Sequence, residues 1–130
     1  MDEDLIKRVS NDRFARLVGV RLLDVRPGYA VTEMEVTDNH LNGVDRVQGG
    51  AIFTLADYAF AAASNSEGIP TLGININITY FKSPSGKKIR AVASEISVQN
   101  RIGGYKVDIF DDDGTLIACF SGLGYRKPVK

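Results

Sequence analysis

The sequence predicts an α+β domain in which one sheet of about five or six antiparallel strands packs against a long, apolar central helix. Two observations support this fold class. Residues 49–65 form the only long run of good helix formers, rich in alanine. After Pro70 the hydrophobic pattern changes to a period of two, which indicates strands. We expect residues 1–130 to form one domain, because this length suffices for a hydrophobic core.

The residues before the central helix predict a helical opening and two strands. Apolar residues recur at helical spacing through residues 5–18, and Ser10-Asn11-Asp12 marks a break and a new N-cap within that run. Two extended segments, 20–25 and 29–37, follow on either side of the turn pair Pro27-Gly28. A polar loop then leads to the helix.

The strands after the helix are predicted from alternation and from their connections. Isoleucines alternate with polar residues in 74–79. Three more extended segments follow, 89–99, 105–110 and 115–125. The connections contain glycine, at Ser85-Gly86, Gly103-Gly104 and Asp113-Gly114. Because such connections suit hairpin turns, we expect consecutive strands to be mainly antiparallel neighbours.

The composition argues against several classes of function. Sixteen basic and sixteen acidic side chains cancel, so no global charge predicts a nucleic-acid or membrane partner. The longest apolar region, 49–63, is shorter than a membrane span. The single Cys119 excludes an intrachain disulfide framework and a multi-cysteine metal site, and we expect no metal. Cys119 fits a reducing compartment and the acidic N-terminus lacks a signal-peptide pattern, so we expect a cytoplasmic protein.

Asp57 lies in the middle of the central helix, where apolar residues extend around most of the circumference. Such a helix is buried on nearly all sides, so either the sheet curls strongly around it or a second subunit covers the rest. An ionised carboxylate is costly there unless it is paired or belongs to a site. Asp57 is therefore either a structural carboxylate or an acid-base residue.

Gly49 and Gly50 open this helix, where free N–H groups and the positive end of the helix dipole collect. Each glycine costs up to about 1 kcal/mol relative to alanine. One explanation is that a ligand carbonyl can reach the N–H groups and be polarised by them. The other is tight packing of the helix start against a strand.

The spacing of these residues predicts a second chain. Gly50 and Asp57 are seven residues apart, on nearly the same face but about 10.5 Å along the axis. An aspartate side chain is too short to serve a carbonyl held at the start of its own helix. Two such helices packed antiparallel about a two-fold axis would place each Asp57 near the other chain's Gly49-Gly50. We therefore expect a homodimer with two composite sites.

Asn42-Gly43 together with residues 47–57 closely resembles the hotdog-fold thioesterases of the phenylacetate-pathway (PaaI-like) type. The resemblance covers nearly the whole chain, and the fifteen-residue spacing from Asn42 to Asp57 makes the combined motif specific. It implies a hotdog fold, a curled antiparallel sheet wrapped around the central helix, dimerised edge to edge and often assembled as a dimer of dimers. It also implies an acyl-CoA thioesterase that hydrolyses a small aryl- or acyl-coenzyme A. Coenzyme A is then part of the substrate, and no separate cofactor is implied.

The resemblance assigns a role to each matching position. Asp57 would be the general base or nucleophile, while the Gly49 N–H, with that of Gly50, would polarise the carbonyl. Asn42 would position the attacking water or the substrate. Most relatives carry histidine where this chain has Gln48, and glutamine can donate a hydrogen bond but cannot take up a proton near neutrality. An essential proton transfer at this position is therefore not expected.

Substrate binding is assigned to Thr54 and to basic residues, because the phosphates of coenzyme A need local positive charge. The basic candidates are Lys82, Lys87, Lys88, Arg90 and Arg101. The main alternative is a non-catalytic acyl-CoA binding or sensing hotdog protein, in which Gln48 marks a lapsed active site. A hotdog hydratase would pair a catalytic histidine with a carboxylate. The sole histidine, His40, is expected to be a surface histidine of the loop, with a role at the rim of the site as the alternative.

Overall fold

Three α-helices lie in residues 3–127, the part of the chain that the computed structural model describes. The predicted break before the second helix is confirmed, because the Asp12 carboxylate accepts a hydrogen bond from the Ala15 N–H at 2.9 Å. Gly19, with φ of 91°, closes that helix in the left-handed conformation. The predicted central helix is also confirmed. The helices are α1 (Glu3–Ser10), α2 (Arg13–Val18) and α3 (Gly49–Ser64), with a short 3-10 helix at Asp38–His40.

Six strands form one antiparallel sheet in the order β1-β2-β4-β5-β6-β3. The α+β prediction is therefore confirmed. Because β3 pairs with β6 rather than with β4, β3 forms one edge of the sheet and β1 the other. The strands are β1 (Val20–Arg26), β2 (Tyr29–Glu35), β3 (Thr71–Tyr80), β4 (Lys88–Val98), β5 (Ile102–Phe110) and β6 (Leu116–Arg126).

The predicted hairpin at Ser85-Gly86 is wrong, whereas the predicted β4–β5 hairpin is confirmed with its turn at residues 99–101 instead of at Gly103-Gly104. Ser85-Gly86 lies in the connection from edge strand β3 to the interior strand β4, which are not neighbours. The Asp111 carboxylate holds this connection by accepting hydrogen bonds from the N–H groups of Ser85 (2.9 Å) and Gly86 (3.0 Å). Gly103-Gly104 lies inside β5, where a side chain on Gly103 would press against the ring of Tyr105. Gly86 and Gly103 therefore serve close packing, whereas Asp113-Gly114 does form the predicted β5–β6 turn.

The central helix α3 contacts all six strands, because the sheet curls around it. The predicted apolar stripe is buried against the sheet, at Ile52, Leu55, Ala56, Ala59 and Ala63. Aromatic rings extend the core toward β6, with the Phe53 and Phe60 ring centroids 5.6 and 5.7 Å from that of Phe120. No helix within residues 3–127 is long and apolar enough to cross a membrane.

Edge strand β3 exposes apolar side chains. A bulge between Gly73 and Asn75 interrupts the alternation that the isoleucines predict. Ile76 and Ile78 still pack against the core, but Ile74 is 54% exposed and Leu72 is 73% exposed. A long edge strand with exposed apolar residues is a template for pairing with another chain.

Candidate active site

One face of α3 is left uncovered by the chain's own sheet. Gly50 is exposed on this face, and Thr54, Asp57 and Ala61 are half-buried. Their spacing of four, three and four residues places them on one stripe along the helix. Three of the predicted site residues therefore share the face that a second subunit would cover.

Asp57 has no partner that would make it a structural carboxylate. Within residues 3–127, no hydrogen bond or ion pair reaches its side chain. Burial raises the pKa of Asp57, and the negative charge of Asp12 at the start of α2 raises it further. Such a carboxylate takes up a proton more readily than an ordinary aspartate does, which suits a general base.

The start of α3 leaves one backbone donor free. Gln48 is the N-cap: its side-chain Oε1 accepts from the Gly50 N–H at 2.7 Å, and its carbonyl accepts from Ala51 and Ile52. Among the first four N–H groups of the helix, only that of Gly49 has no partner in the described part of the chain. The Gly49 N–H is therefore the donor available to a ligand oxygen.

Both glycines of the helix start also have a packing reason. The Tyr80 hydroxyl donates to the Gly49 carbonyl at 2.8 Å, and a Cβ on Gly49 would lie 3.2 Å from the Tyr80 ring. Burial raises the pKa of Tyr80, so its hydroxyl stays protonated as a donor. A Cβ on Gly50 would overlap the side-chain oxygen of Gln48. Close packing against a strand and an accessible N–H thus occur together, and the two explanations do not exclude each other.

Asn42 shapes the loop that leads to the helix. Its Oδ1 accepts hydrogen bonds from the N–H groups of Val44 (3.0 Å) and Arg46 (3.1 Å), as expected of a turn asparagine. Its side-chain NH₂ has no partner within residues 3–127 and could still donate to a water or a substrate.

The prediction of a surface position for His40 is wrong. His40 is buried, with Nδ1 accepting from the Thr37 N–H at 2.9 Å and Nε2 donating to the carbonyl of Val18. Nδ1 thus closes the 3-10 turn on Thr37, and Nε2 joins this loop to the end of α2. No local pattern predicts this burial, because Val18 lies 22 residues away along the chain.

A pocket of about 840 Å³ opens beside the helix start. Of the predicted site residues it includes Gln48, Gly50 and Thr54. Its apolar lining comes from three residues of α2, one residue after the 3-10 helix and one of α3: Phe14, Leu17, Val18, Leu41 and Ala51. Asp57 lies on the same helix face as Gly50 and Thr54 but does not line the pocket.

The basic candidates for coenzyme A binding are not gathered at this pocket. Lys88 lines a second pocket with Glu33 and Arg90, and Arg90 donates to the Glu33 carboxylate at 2.8 Å. Arg101 lies beyond the other end of β4, roughly 30 Å from Lys88 by the length of this strand. There Arg101 donates to the Tyr125 hydroxyl at 3.2 Å. Lys82 and Lys87 are exposed in the β3–β4 connection. Tyr80 bonds to Gly49 at the helix start, and Lys82 follows Tyr80 by two residues. Among the basic candidates, Lys82 is therefore the one closest in sequence to a residue that contacts the helix start.

Two residues near the site were not predicted to take part in it. Asp12 was recognised only as a helix cap, since its effect on Asp57 depends on how α2 packs on α3. Tyr80 is the other, since its bond to Gly49 joins residues 31 positions apart and has no local signal in the sequence. Cys119 is half-buried beside Asp108, and burial raises the pKa of this thiol, so it is not an activated nucleophile. No group of potential metal ligands occurs among residues 3–127.

Comparisons with known proteins give one consistent family. The family model described as "Thioesterase superfamily" matches residues 46–118. The acyl-coenzyme A thioesterase PaaI of Escherichia coli is 32% identical over 117 residues, covering 89% of this chain and 84% of that protein. Human acyl-coenzyme A thioesterase 13 is 30% identical over 122 residues, covering 88% and 86%.

Solved structures agree with these matches. The E. coli PaaI protein of the phenylacetic acid degradation operon superposes with a TM-score of 0.90 at 28% identity, covering 97% of this chain and 92% of that one. A mutant of the phenylacetic acid degradation protein PaaI of Thermus thermophilus gives a TM-score of 0.85 at 33% identity, covering 89% and 100%. The predicted hotdog fold is confirmed by these neighbours and by the curled six-stranded sheet around α3.

Proposed function

Because the chain belongs to the thioesterase superfamily, a family of thioester hydrolases, we propose that it hydrolyses acyl-coenzyme A to a free acid and coenzyme A. The two named relatives are acyl-coenzyme A thioesterases, which supports this substrate class. The observation that carries the proposal is the uncovered face of α3. In the described part of the chain, the Asp57 carboxylate on this face and the Gly49 N–H at the helix start both lack a partner, so both are available to a substrate.

Thioester hydrolysis needs an attacking water and a polarised carbonyl, and the site residues divide these tasks. As general base, Asp57 takes a proton from water while the water oxygen attacks the carbonyl carbon. As nucleophile, Asp57 would itself attack, and water would then hydrolyse the resulting anhydride. In both routes the Gly49 N–H stabilises the oxyanion, and the C–S bond breaks to release coenzyme A.

A second chain completes the site. Gly50 and Asp57 are about 10.5 Å apart along α3, so Asp57 cannot serve a carbonyl at its own helix start. We propose a homodimer formed through the exposed edge of β3, which places each Asp57 near the partner's helix start. Pairing of two such dimers into a tetramer is a further part of this proposal.

The remaining site residues take supporting roles in the proposal. Gln48 holds the Gly50 N–H, so Gly49 rather than Gly50 is the principal oxyanion donor. Asn42 presents its free side-chain NH₂ to the attacking water, and Thr54 lines the pocket beside the carbonyl. Three points stay predictions. Basic side chains are predicted to contact the phosphates of coenzyme A, at Lys82, Lys87, Lys88 and Arg101. The protein is also predicted to need no cofactor and to be cytoplasmic.

A non-catalytic acyl-CoA binding protein is the second candidate. The observation that favours it is the Gln48 side chain, which occupies one of the two N–H groups at the helix start. Such a protein would bind acyl-CoA without releasing thiol.

Thiol release from a panel of acyl-CoA substrates tests the proposal, with the parent compared with Asp57→Ala and Asp57→Asn. We expect the parent to hydrolyse at least one substrate and both variants to lose activity by about a hundredfold or more. Circular dichroism checks that the variants stay folded. Binding without hydrolysis by the parent would favour the non-catalytic candidate, and full activity of both variants would refute the role of Asp57.

A further inference from the structure

The pocket beside the start of α3 has an apolar wall to which no role has yet been assigned. Phe14 and Leu17 of α2 line it although they are 62% and 82% exposed, and Val18 continues the same side of the helix. We infer that this pocket receives the acyl chain of the substrate and that Phe14 and Leu17 select an apolar acyl group. This inference rests on the proposed function and names its substrate class.

The exposure of Phe14 and Leu17 does not arise from a loose helix. Asp12 caps the N-terminus of α2, and the Gly19 N–H closes its C-terminus by donating to the carbonyls of Ala15 and Arg16. The opposite side of α2 is anchored, with Ala15 only 1% exposed in the core. α2 is therefore a fixed wall that holds two apolar side chains open toward the pocket.

Three polar side chains of the lining already have partners in the protein. His40 uses both ring nitrogens, and Arg21 donates to the buried Glu33 carboxylate at 2.8 Å. The Thr54 hydroxyl donates to the Gly50 carbonyl at 2.8 Å. Because these three groups are used, a polar acyl group that gives up its water regains few hydrogen bonds beside Phe14 and Leu17, whereas an apolar one loses none.

The pocket lies beside the helix start that carries the Gly49 N–H, with Gln48 and Gly50 in its lining. Gly50 and Thr54 line it and also lie on the face of α3 that carries Asp57. A thioester carbonyl at the Gly49 N–H would thus have the pocket beside it. The volume of about 840 Å³ lies in the range of ligand pockets. The six residues of α2 form a wall about 9 Å long. An acyl chain of several carbons fits this length.

The charge of the lining narrows the substrate class further. Arg21 and Glu35 both line the pocket, and Arg21 is paired with the carboxylates of Glu33 at 2.8 Å and Glu35 at 3.9 Å, so a terminal carboxylate on the acyl chain would find no unpaired cation in the described lining. We expect kcat/KM to rise by about fourfold for each methylene that the pocket buries, and to be low for a dicarboxylic acyl group. The predicted order is octanoyl above hexanoyl, with acetyl and succinyl lowest.

The test compares the parent with the double variant Phe14→Ser/Leu17→Ser and with the control Ile96→Ser. Ile96 is 62% exposed on β4, outside the pocket, so the control removes a similarly exposed apolar side chain. For each protein, kcat/KM is measured for acetyl-, hexanoyl-, octanoyl- and succinyl-CoA. Binding of the thioethers S-ethyl-CoA and S-octyl-CoA is measured by calorimetry, and the oligomeric mass by light scattering.

In the parent and the control, we expect octanoyl-CoA to exceed acetyl-CoA by more than about a hundredfold in kcat/KM. The double variant should lose at least about tenfold of this octanoyl-to-acetyl ratio, mainly through a lower kcat/KM for octanoyl-CoA. A ratio unchanged by the double substitution, or a parent that prefers succinyl-CoA, would overturn the inference. A double variant that changes mass but not selectivity would overturn it too, because Phe14 and Leu17 would then be a subunit contact.

The thioethers separate this inference from the proposed function. If the parent hydrolyses nothing but binds S-octyl-CoA more tightly than S-ethyl-CoA, and the double variant loses this preference, the acyl pocket stands and the hydrolase proposal fails. If the parent hydrolyses acyl-CoA but neither the rate ratio nor the binding ratio depends on Phe14 and Leu17, the hydrolase proposal stands and the acyl pocket fails.

Discussion

The raised pKa of Asp57 comes from burial and from a neighbour that does not bind it. Its carboxylate is half-buried and has no hydrogen-bond partner in residues 3–127, and Asp12 contributes a negative charge from α2. Burial and that charge both favour the protonated form. The cost of keeping Asp57 ionised near neutral pH is typical of a residue kept for chemistry rather than for stability.

The electrostatic role of Asp12 predicts a change in pH dependence. A general base acts in its ionised form, so kcat/KM should fall with decreasing pH through the pKa of Asp57. Because Asp12 raises that pKa, Asp12→Asn should move the acidic limb of the pH profile to lower pH. Asparagine is an equally good N-cap, so the free energy of unfolding should change by less than about 0.5 kcal/mol.

A pH–rate profile of kcat/KM for the parent and Asp12→Asn measures this shift. Asp24→Asn is the control, because it also removes one negative charge but from β1, where Asp24 pairs with Arg26 at 3.2 Å. An acidic limb that stays in place in Asp12→Asn, or that moves equally in Asp24→Asn, would rule out the role of Asp12.

At the scale of elements, local patterns predicted what depends on local chemistry. The α3 boundaries came within one residue, because Gly49 and the alanine run are contained in the segment itself, and Asp12 gave the start of α2. The place of β3 at the sheet edge was missed, since nothing in Ser85-Gly86 distinguishes a crossover from a hairpin. The motif supplied Asp57 and the glycines, but the hold of Gln48 on Gly50 depends on a rotamer that no pattern encodes.

The N–H of Gly49, the free donor at the start of α3 among residues 3–127, can be removed by a substitution that changes the backbone little. Gly49 is the first helical residue after the Gln48 N-cap, a position that favours proline. Gln48 has φ of −68° and ψ of 135°, which a following proline tolerates. Gly49→Pro should therefore fold but lower kcat by about a hundredfold to a thousandfold, because it lacks the N–H.

Gly49→Ala is the matched control for this change. It adds the same Cβ, with the same 3.2 Å approach to Tyr80, but keeps the N–H. Steady-state kinetics should give a kcat for Gly49→Ala well above that for Gly49→Pro. The two variants should have similar melting temperatures. Equal activity in the two variants would mean that Gly49 serves packing alone.

The edge strand β3 carries a separate prediction about assembly. Ile74→Lys places a charge on the exposed edge, and the two-fold axis of the proposed dimer would bring this charge near its own copy. We expect the dimer to dissociate and hydrolysis to fall with it, while circular dichroism shows a folded chain. Ile96→Lys, at comparable exposure on β4, should leave mass and activity unchanged. A fully active Ile74→Lys monomer in light scattering would contradict the composite site.

One whole chain supplies only half of the groups that each proposed site needs. The curled sheet buries one side of α3, and the uncovered face carries Asp57 at one level and the helix start two turns away. This arrangement has a physical reason, since one helix cannot present its own N-terminus and its own mid-helix side chain to the same carbonyl. A single sequence contains that spacing, but the partner surface arises only when two chains meet.

Subunit complementation tests this central claim most directly. Asp57→Ala and Gly49→Pro are each expected to be nearly inactive, and they are unfolded together in equal amounts and refolded. In the mixed dimer one site combines Asp57 of one chain with the Gly49 N–H of the other, so the mixture should regain about a quarter of the parent's activity. A mixture that stays as inactive as its two components, with mixed dimers demonstrated by mass spectrometry, would contradict a site shared between chains.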